Sequence, residues 1–407
     1  MTDRTETTRV AEAAGQPQAR ALPRRTTLLF ALSGAVAVSN VYFAQPLLAT
    51  LSHDFGIGEA TVGALVTLTQ IGYGLGLFLV VPLGDLLDRK RLITVQFVLL
   101  ALSTTAVGLS GTAPLLMIGM ALIGFSAVVT QSLVAFAASL AGPDARGRVV
   151  GLVTGGVVVG ILLARTASGL LADLVSWRAV YLASAVVSLV LTLALHHELP
   201  RTTAPRPAIR YRRLLGSTLA LFVREPVFRV RALLALLVFA AFSTLWSCVA
   251  LPLSEPPLSL THTGIGAFGL VGAAGALAAA PAGRLHDRGF ARRTTGTALA
   301  ILVLSWLPLA FTRHSLWALA AGAILLDLAV QAVHVTSQSL IHGLRADAGS
   351  RLIGGYMVFY SAGSAAGALA STTVYAAAGW GAVCLLGAAF SAAALALWAA
   401  TGNGTRG

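Results

Sequence analysis

The chain has 407 residues, 57% of them apolar and 11% charged, with a mean hydropathy of +0.83. A soluble domain carries roughly 25% charged residues, so most of this surface must face something other than water, and lipid is the candidate. The formal charge of +13 does not point to nucleic acid, because the basic residues punctuate apolar runs instead of forming a face.

Taken in order, residues 1–23 are polar, Ala/Arg/Thr-rich and unpatterned, and are expected to be a disordered tail. A bilayer crossing needs about 20 helical residues. Runs that long occupy roughly 26–51, 60–82, 92–111, 114–141, 149–172, 177–197, 229–253, 263–283, 294–312, 315–343, 350–376 and 379–401. That is six, a long gap, then six. The expected fold is an all-α membrane protein of twelve transmembrane helices in two six-helix bundles, 24–197 and 229–401, with a basic linker at 198–228 and a short tail at 402–407. A barrel would instead show short alternating segments.

Charge sets the orientation. Every second gap between spans is basic: Arg89, Lys90 and Arg91; Arg146 and Arg148; the linker; Arg284, Arg288, Arg292 and Arg293; Arg345 and Arg351. The other gaps hold only Arg178 and Arg313. Excess Lys and Arg mark the cytoplasmic side, which predicts a multi-pass protein of the inner (plasma) membrane with both termini cytoplasmic. The linker, with Pro200, Pro205, Pro207 and a run of Arg, reads as a topology-setting tether or as a surface for anionic headgroups. A short surface helix is expected around Tyr211 to Phe222.

The chain also repeats itself. Pro82 to Arg91 reads P-L-G-D-L-L-D-R-K-R, and Pro281 to Arg288 reads P-A-G-R-L-H-D-R, at an offset of 283 − 84 = 199. Asp144 to Arg148 with Gly151 is answered by Asp347 to Arg351 with Gly354, at 347 − 144 = 203. Two matches in one order at nearly one offset argue for a duplicated unit.

Two six-helix halves, a basic central loop and the repeated G-x-x-x-D-R resemble the major facilitator superfamily over essentially all of the chain after the tail. Gly84, Asp88 and Arg89, with the basic Lys90 and Arg91, match that family's signature loop G-x-x-x-D-R-x-G-R-[RK], without its later Gly. The resemblance implies a gating role for this loop, and by repetition for Gly283, Asp287 and Arg288. The competing reading is that these charges only anchor the loop at the interface. The opening N-x-Y-x-x-Q-P-L (Asn40, Tyr42, Gln45, Pro46, Leu47) is similar to bacterial groups near the drug:proton antiporters and sugar-efflux permeases. The fifth span departs from the antiporter pattern G-x-x-x-G-P-x-x-G-G, since Gly160 to Gly169 reads G-I-L-L-A-R-T-A-S-G, and the first span holds no acid before Asp54.

Ionisable groups deep in lipid are costly and mark function. There are three: Arg165 on the fifth span, and Asp327 and His334 on the tenth. Asp327, Gln331, His334 and Gln338 recur at i, i+4, i+7 and i+11, so they share one helix face. Asp327 is the candidate proton carrier, His334 a candidate relay, and Arg165 a candidate counter-ion at equal depth. A static buried pair is the alternative. Asn40, Tyr42, Gln45, Gln70, Tyr73, Gln131, Gln331 and Gln338 are candidate substrate contacts, with interhelical hydrogen bonding as their alternative role. Pro46 is expected to kink the first span and free backbone carbonyls. Gly72, Gly74, Gly76, Gly151, Gly155, Gly156 and Gly160 read as close-packing or sliding surfaces. Cys248 and Cys384 read as small core residues.

These features predict a secondary transporter, expelling a small, largely apolar or cationic organic molecule against proton entry by alternating access. A proton-coupled importer of a sugar or metabolite is the alternative. An intramembrane enzyme would need a catalytic cluster such as H-E-x-x-H, and the sequence has none. The expected partners are the lipid bilayer, a small-molecule substrate and protons. No cofactor, metal or nucleic acid is expected, and the working unit is expected to be a monomer.

Overall fold

The structure, a computed structural model, describes residues 23–200, 211–276, 279–344 and 349–401. Both expected tails, the proline-rich part of the linker, the turn around Asp347 and the side chain of Asp287 lie outside the described residues.

All regular structure among the described residues is helical. The first span comprises α1 (Arg24–Tyr42) and α2 (Leu48–Phe55), the second α3 (Glu59–Leu79) and the third α4 (Arg89–Gly108). The fourth is α5 (Ala113–Ala127) with α6 (Val129–Leu140), the fifth α7 (Pro143–Leu174) and the sixth α8 (Trp177–Glu198). The linker carries the expected short helix, α9 (Tyr211–Arg224). Then follow α10 (Pro226–Trp246) with α11 (Ala250–Ser254), α12 (His262–Ala276) with α13 (Ala279–Asp287), and α14 (Ala291–Leu304) with α15 (Trp306–Leu309). α16 (Leu316–Leu344) is the tenth span, and α17 (Gly349–Thr401) holds the last two, broken at Gly379 with φ 72°. Among the described residues nine segments are long and apolar enough to cross a membrane. That tally takes α17 once and passes over the divided eighth and ninth spans, so it agrees with twelve crossings in two bundles of six.

Proline places the breaks. A proline ring clashes with the carbonyl four residues earlier and removes a helix hydrogen bond. Pro46 lies four residues after Tyr42, where α1 ends; Pro252 lies four after Cys248, between α10 and α11; Pro308 lies four after Leu304, where α14 ends. A carbonyl freed at the first break is taken up from another span, because Ser168 Oγ donates to Phe43 O at 3.0 Å. The kink expected at Pro46 is thus a full interruption, matched in the second half.

The duplication is visible in the packing. Gly160 on α7 lies against the Ala35 backbone, and Gly363 (363 − 160 = 203) lies against that of Leu236. In the last turn of the first span Asp54 accepts from Trp177 Nε1 at 2.7 Å and lies 3.7 Å from Arg178. At the equivalent corner Glu255 accepts from Arg313 and Tyr375, each at 2.7 Å. The outer faces are apolar: α4 exposes Val95, Leu99 and Leu102 along one stripe, and α8 exposes Val186, Val190 and Leu193. Such stripes face lipid. The expected glycine surfaces divide in two. Gly72, Gly76, Gly156 and Gly160 allow backbones to approach closely, and Gly74 faces Ser361 of the other half, whereas Gly151 and Gly155 have nothing near enough to touch even a methyl group.

Candidate functional site

Among the described residues, hydrogen bonds between the two bundles lie at mid-depth and on the side away from the basic loops. On that side Asp173, near the end of α7, accepts from His262 Nδ1 at 2.5 Å and from the backbone N–H groups of His262 and Thr263 at 3.3 and 2.7 Å. One carboxylate of the first half thereby caps a helix of the second, where a negative charge meets the positive end of the helix dipole. His262 Nε2 also bonds Thr50 Oγ1 at 2.6 Å. Thr166 donates to Gly266 O at 2.9 Å, Thr67 to Ala365 O at 3.0 Å, and Thr372 to Ala60 O at 3.4 Å. On the basic side the α7 residues Gly151, Thr154 and Gly155 are exposed. Among the described residues the halves are clasped directly at one face, while on the other the linker helix α9 lies against both, Tyr211 donating to Leu79 O at 2.6 Å and Phe222 stacking on Phe359.

Cutting this clasp has a measurable consequence. Asp173→Ala removes a helix cap worth about 1 kcal/mol and a charge-assisted bond worth about 1.5 kcal/mol or more. The open-to-clasped ratio should rise by roughly sixtyfold or more, since 1.4 kcal/mol is a factor of ten. Spin labels on the exposed residues His53 and His314, one in each half, should then report a longer distance. An unchanged distance distribution would mean that the clasp does not set the state.

At mid-depth the breaks of the first and seventh spans face each other. Gln45, in the short turn after α1, accepts from Arg165 Nε at 2.6 Å. Trp246, the last residue of α10, donates from Nε1 to Asp327 Oδ1 at 2.9 Å. The Arg165 guanidinium carbon lies 4.3 Å from the centre of the Trp246 ring, 5.1 Å from that of Tyr42 and 6.0 Å from that of Phe242. Arg165 and Asp327 therefore meet across an indole, and no direct ion pair joins them. The Asp327 carboxylate is turned to the indole N–H while the cation occupies the ring face. A desolvated cation–π contact contributes about 2 kcal/mol.

The eighth span makes room for both charges. A methyl group on Gly269 would sit 2.9 Å from Arg165 Cβ, and one on Gly272 would overlap Asp327 Oδ2 and lie 3.1 Å from Trp246 Cζ2. Above this centre the Tyr42 and Tyr360 hydroxyls bond across the halves at 2.7 Å. His334 Nδ1 bonds Tyr356 at 3.0 Å, with its ring 5.2 Å from that of Phe239. His334 thus has a tyrosine partner on the eleventh span, and no hydrogen bond or ion pair joins it to Asp327. Gln331, His334 and Gln338 are partly exposed, unlike buried Asp327, so the polar stripe of α16 opens towards the basic side.

Other expected contacts divide by environment. Tyr73 faces Gln131 within the first half, and Gln70 receives a hydrogen bond from Ser361 of the second half at its backbone carbonyl, 2.5 Å. Asn40 does not join the central group. It is wholly buried, donates to Val36 O and accepts from Ser184, each at 2.8 Å, and so ties the first span to the sixth. In the signature loop Asp88 caps α4 by accepting from the Arg91 N–H at 2.8 Å. Arg89 donates to Gly84 O at 3.0 Å and to Ala135 O at 3.3 Å, binding the loop to the fourth span. Arg288 is exposed, and the helix holding Gly283 runs through to Asp287.

Comparison with known proteins agrees with this architecture. The family model described as Major Facilitator Superfamily matches residues 30–275. The chain is 43% identical over 371 residues to the putative uncharacterized transporter YgaY of Escherichia coli K12, covering 91% of this chain and 94% of that one. It is 34% identical to the probable transporter SCO4007 of Streptomyces coelicolor, covering 93% and 88%. Among solved structures, a bacterial homolog to the human lysosomal transporter Spinster, inward-facing and unoccupied, superposes with a TM-score of 0.74 at 14% identity, covering 94% and 97%.

Proposed function

Because the chain belongs to the major facilitator superfamily and is a multi-pass membrane transporter, not an enzyme, we propose that it expels a small organic compound from the cytoplasm in exchange for protons. The carrying observation is the Asp327–Trp246–Arg165 group, held at mid-depth where the broken first and seventh spans meet. Substrate sites of secondary transporters lie at such a point, formed by discontinuous helices between repeats. An acid there, buried and within reach of a cation, is suited to exchanging a proton as the site changes its solvent face.

The moving units are the bundles 24–197 and 229–401, tethered by 198–228. The clasp at Asp173 and His262 holds one face shut while the other admits solvent, as alternating access requires. The excess of Arg supports a cytoplasmic side for the open face and both termini, in a plasma-membrane protein that works as a monomer. The signature loop, with Asp88 capping α4 and Arg89 tied to the fourth span, is the inner gate. Export has support from two more distant relatives, named the purine ribonucleoside efflux pump NepI of Escherichia coli O127:H6 and a probable sugar efflux transporter of Helicobacter pylori, 26% and 22% identical.

The test uses purified protein in liposomes enclosing a pH-sensitive dye. With a proton gradient imposed, antibiotics, nucleosides, sugars and organic acids are added one at a time. A compound that moves against the protons supports the reading. Movement in the same direction would make the protein an importer, and movement without protons a uniporter.

A further inference from the structure

We propose that Arg165 is the docking point for the carboxylate of a small organic anion, so that the compound carried is anionic. The inference rests on the transporter reading above and narrows it, replacing the apolar or cationic cargo expected from sequence.

Arg165 is 4% exposed, yet its Nη2 is buried without a hydrogen-bond partner. Nε donates to Gln45, and the rings of Trp246 and Tyr42 lie over the group. What remains is an in-plane N–H edge. A buried donor left unmade is rare, and one on a charged group is the costliest kind. The natural complement of a planar guanidinium edge is a carboxylate, which accepts charge-assisted hydrogen bonds in that plane.

The nearest acid does not fill this place. Asp327 has Oδ1 engaged by the Trp246 indole, while Oδ2 lies against Gly272. The carboxylate is held at the indole edge and the guanidinium over the indole face, so no hydrogen bond or ion pair joins the two and the Nη2 donor is left for another acceptor. A cationic ligand would meet the Arg165 charge at close range. A neutral one would leave the N–H edge facing a weaker acceptor. Export also suits this charge, because the inside-negative potential drives an anion outwards and a proton inwards.

The experiment compares ligands of one shape and three charges on the full-length purified protein: benzoate, benzamide and benzylammonium, with hippurate and its amide as a longer pair. Binding is measured by calorimetry and by thermal shift at millimolar ligand. Each carboxylate should bind at least about tenfold more tightly than its amide, and benzylammonium should not compete. In Arg165→Lys, which keeps the charge but loses the planar edge, benzoate affinity should fall by at least about tenfold. Should that variant fail to fold, the ranking of the probes on the unaltered protein decides the matter. Equal binding of acid and amide, preference for the cation, silence of all probes, or undiminished benzoate binding by folded Arg165→Lys would each overturn the proposal. The transporter reading is judged separately. Proton-linked flux of neutral or cationic compounds, with none of anions, would leave it standing and remove only the anion.

Discussion

Asp327→Asn should abolish proton-coupled flux in liposomes while the protein still folds and inserts. The amide has nearly the volume of the acid and retains an oxygen to accept from Trp246 Nε1, which now bonds Asp327 at 2.9 Å. The slot over Gly272 therefore stays filled. Arg165 keeps Gln45 at 2.6 Å and the Trp246 face at 4.3 Å, so the cation is not stranded. What the variant loses is a site that gains and releases a proton between the two solvent faces. The dye should report no proton movement on addition of any compound that moves protons in the unaltered protein. Counterflow, which needs no net proton transfer, should survive. Undiminished coupling would remove Asp327 from the mechanism and leave the group at the span breaks as a binding site alone.

Much of this site was open to a reader of the sequence, and the reasons for the remainder are physical. The stripe Asp327, Gln331, His334, Gln338 is a local periodicity, and helical spacing alone puts it on one face. The duplication allows a counterpart of the first span's break to be sought in the seventh. Pro46 announced its break, and Pro252 and Pro308 carry the same signal beside theirs. Trp246 was also readable in part, because an indole N–H deep in an apolar run needs an acceptor, and Asp327 is one of few available. The clasp was not readable. Asp173 and His262 are far apart along the chain, and each taken alone looks like a polar residue at the end of a span. Only the packing of the fifth span against the eighth turns them into a cap. The same holds for Gly269 and Gly272, whose lack of side chains matters only because two charged residues from other spans lie over them.

Truncating Arg165 should be the most destabilising change in the central group. Arg165→Ala strands Asp327 without a nearby cation, removes the donor to Gln45, and leaves a hole between Trp246, Tyr42 and Phe242. Breaking one side of a buried charged arrangement costs about 3 kcal/mol or more. The double variant Arg165→Ala with Asp327→Asn should be more stable than Arg165→Ala alone, since no charge is left uncompensated, but it should not reach the original, since the hole persists. Apparent Tm values in a single detergent should rank the unaltered protein first, the double variant second and Arg165→Ala last. Trp246→Phe separates the two routes by which the charges communicate. It keeps a ring for Arg165 to lie on and removes the N–H that holds Asp327. If the indole is the link, the energetic coupling between Arg165 and Asp327 should change sharply in the Trp246→Phe background, because a freed carboxylate can turn towards the guanidinium. Strictly additive losses in both backgrounds would mean that the charges act independently. The indole would then be a packing residue, and the acid and the cation two separate sites.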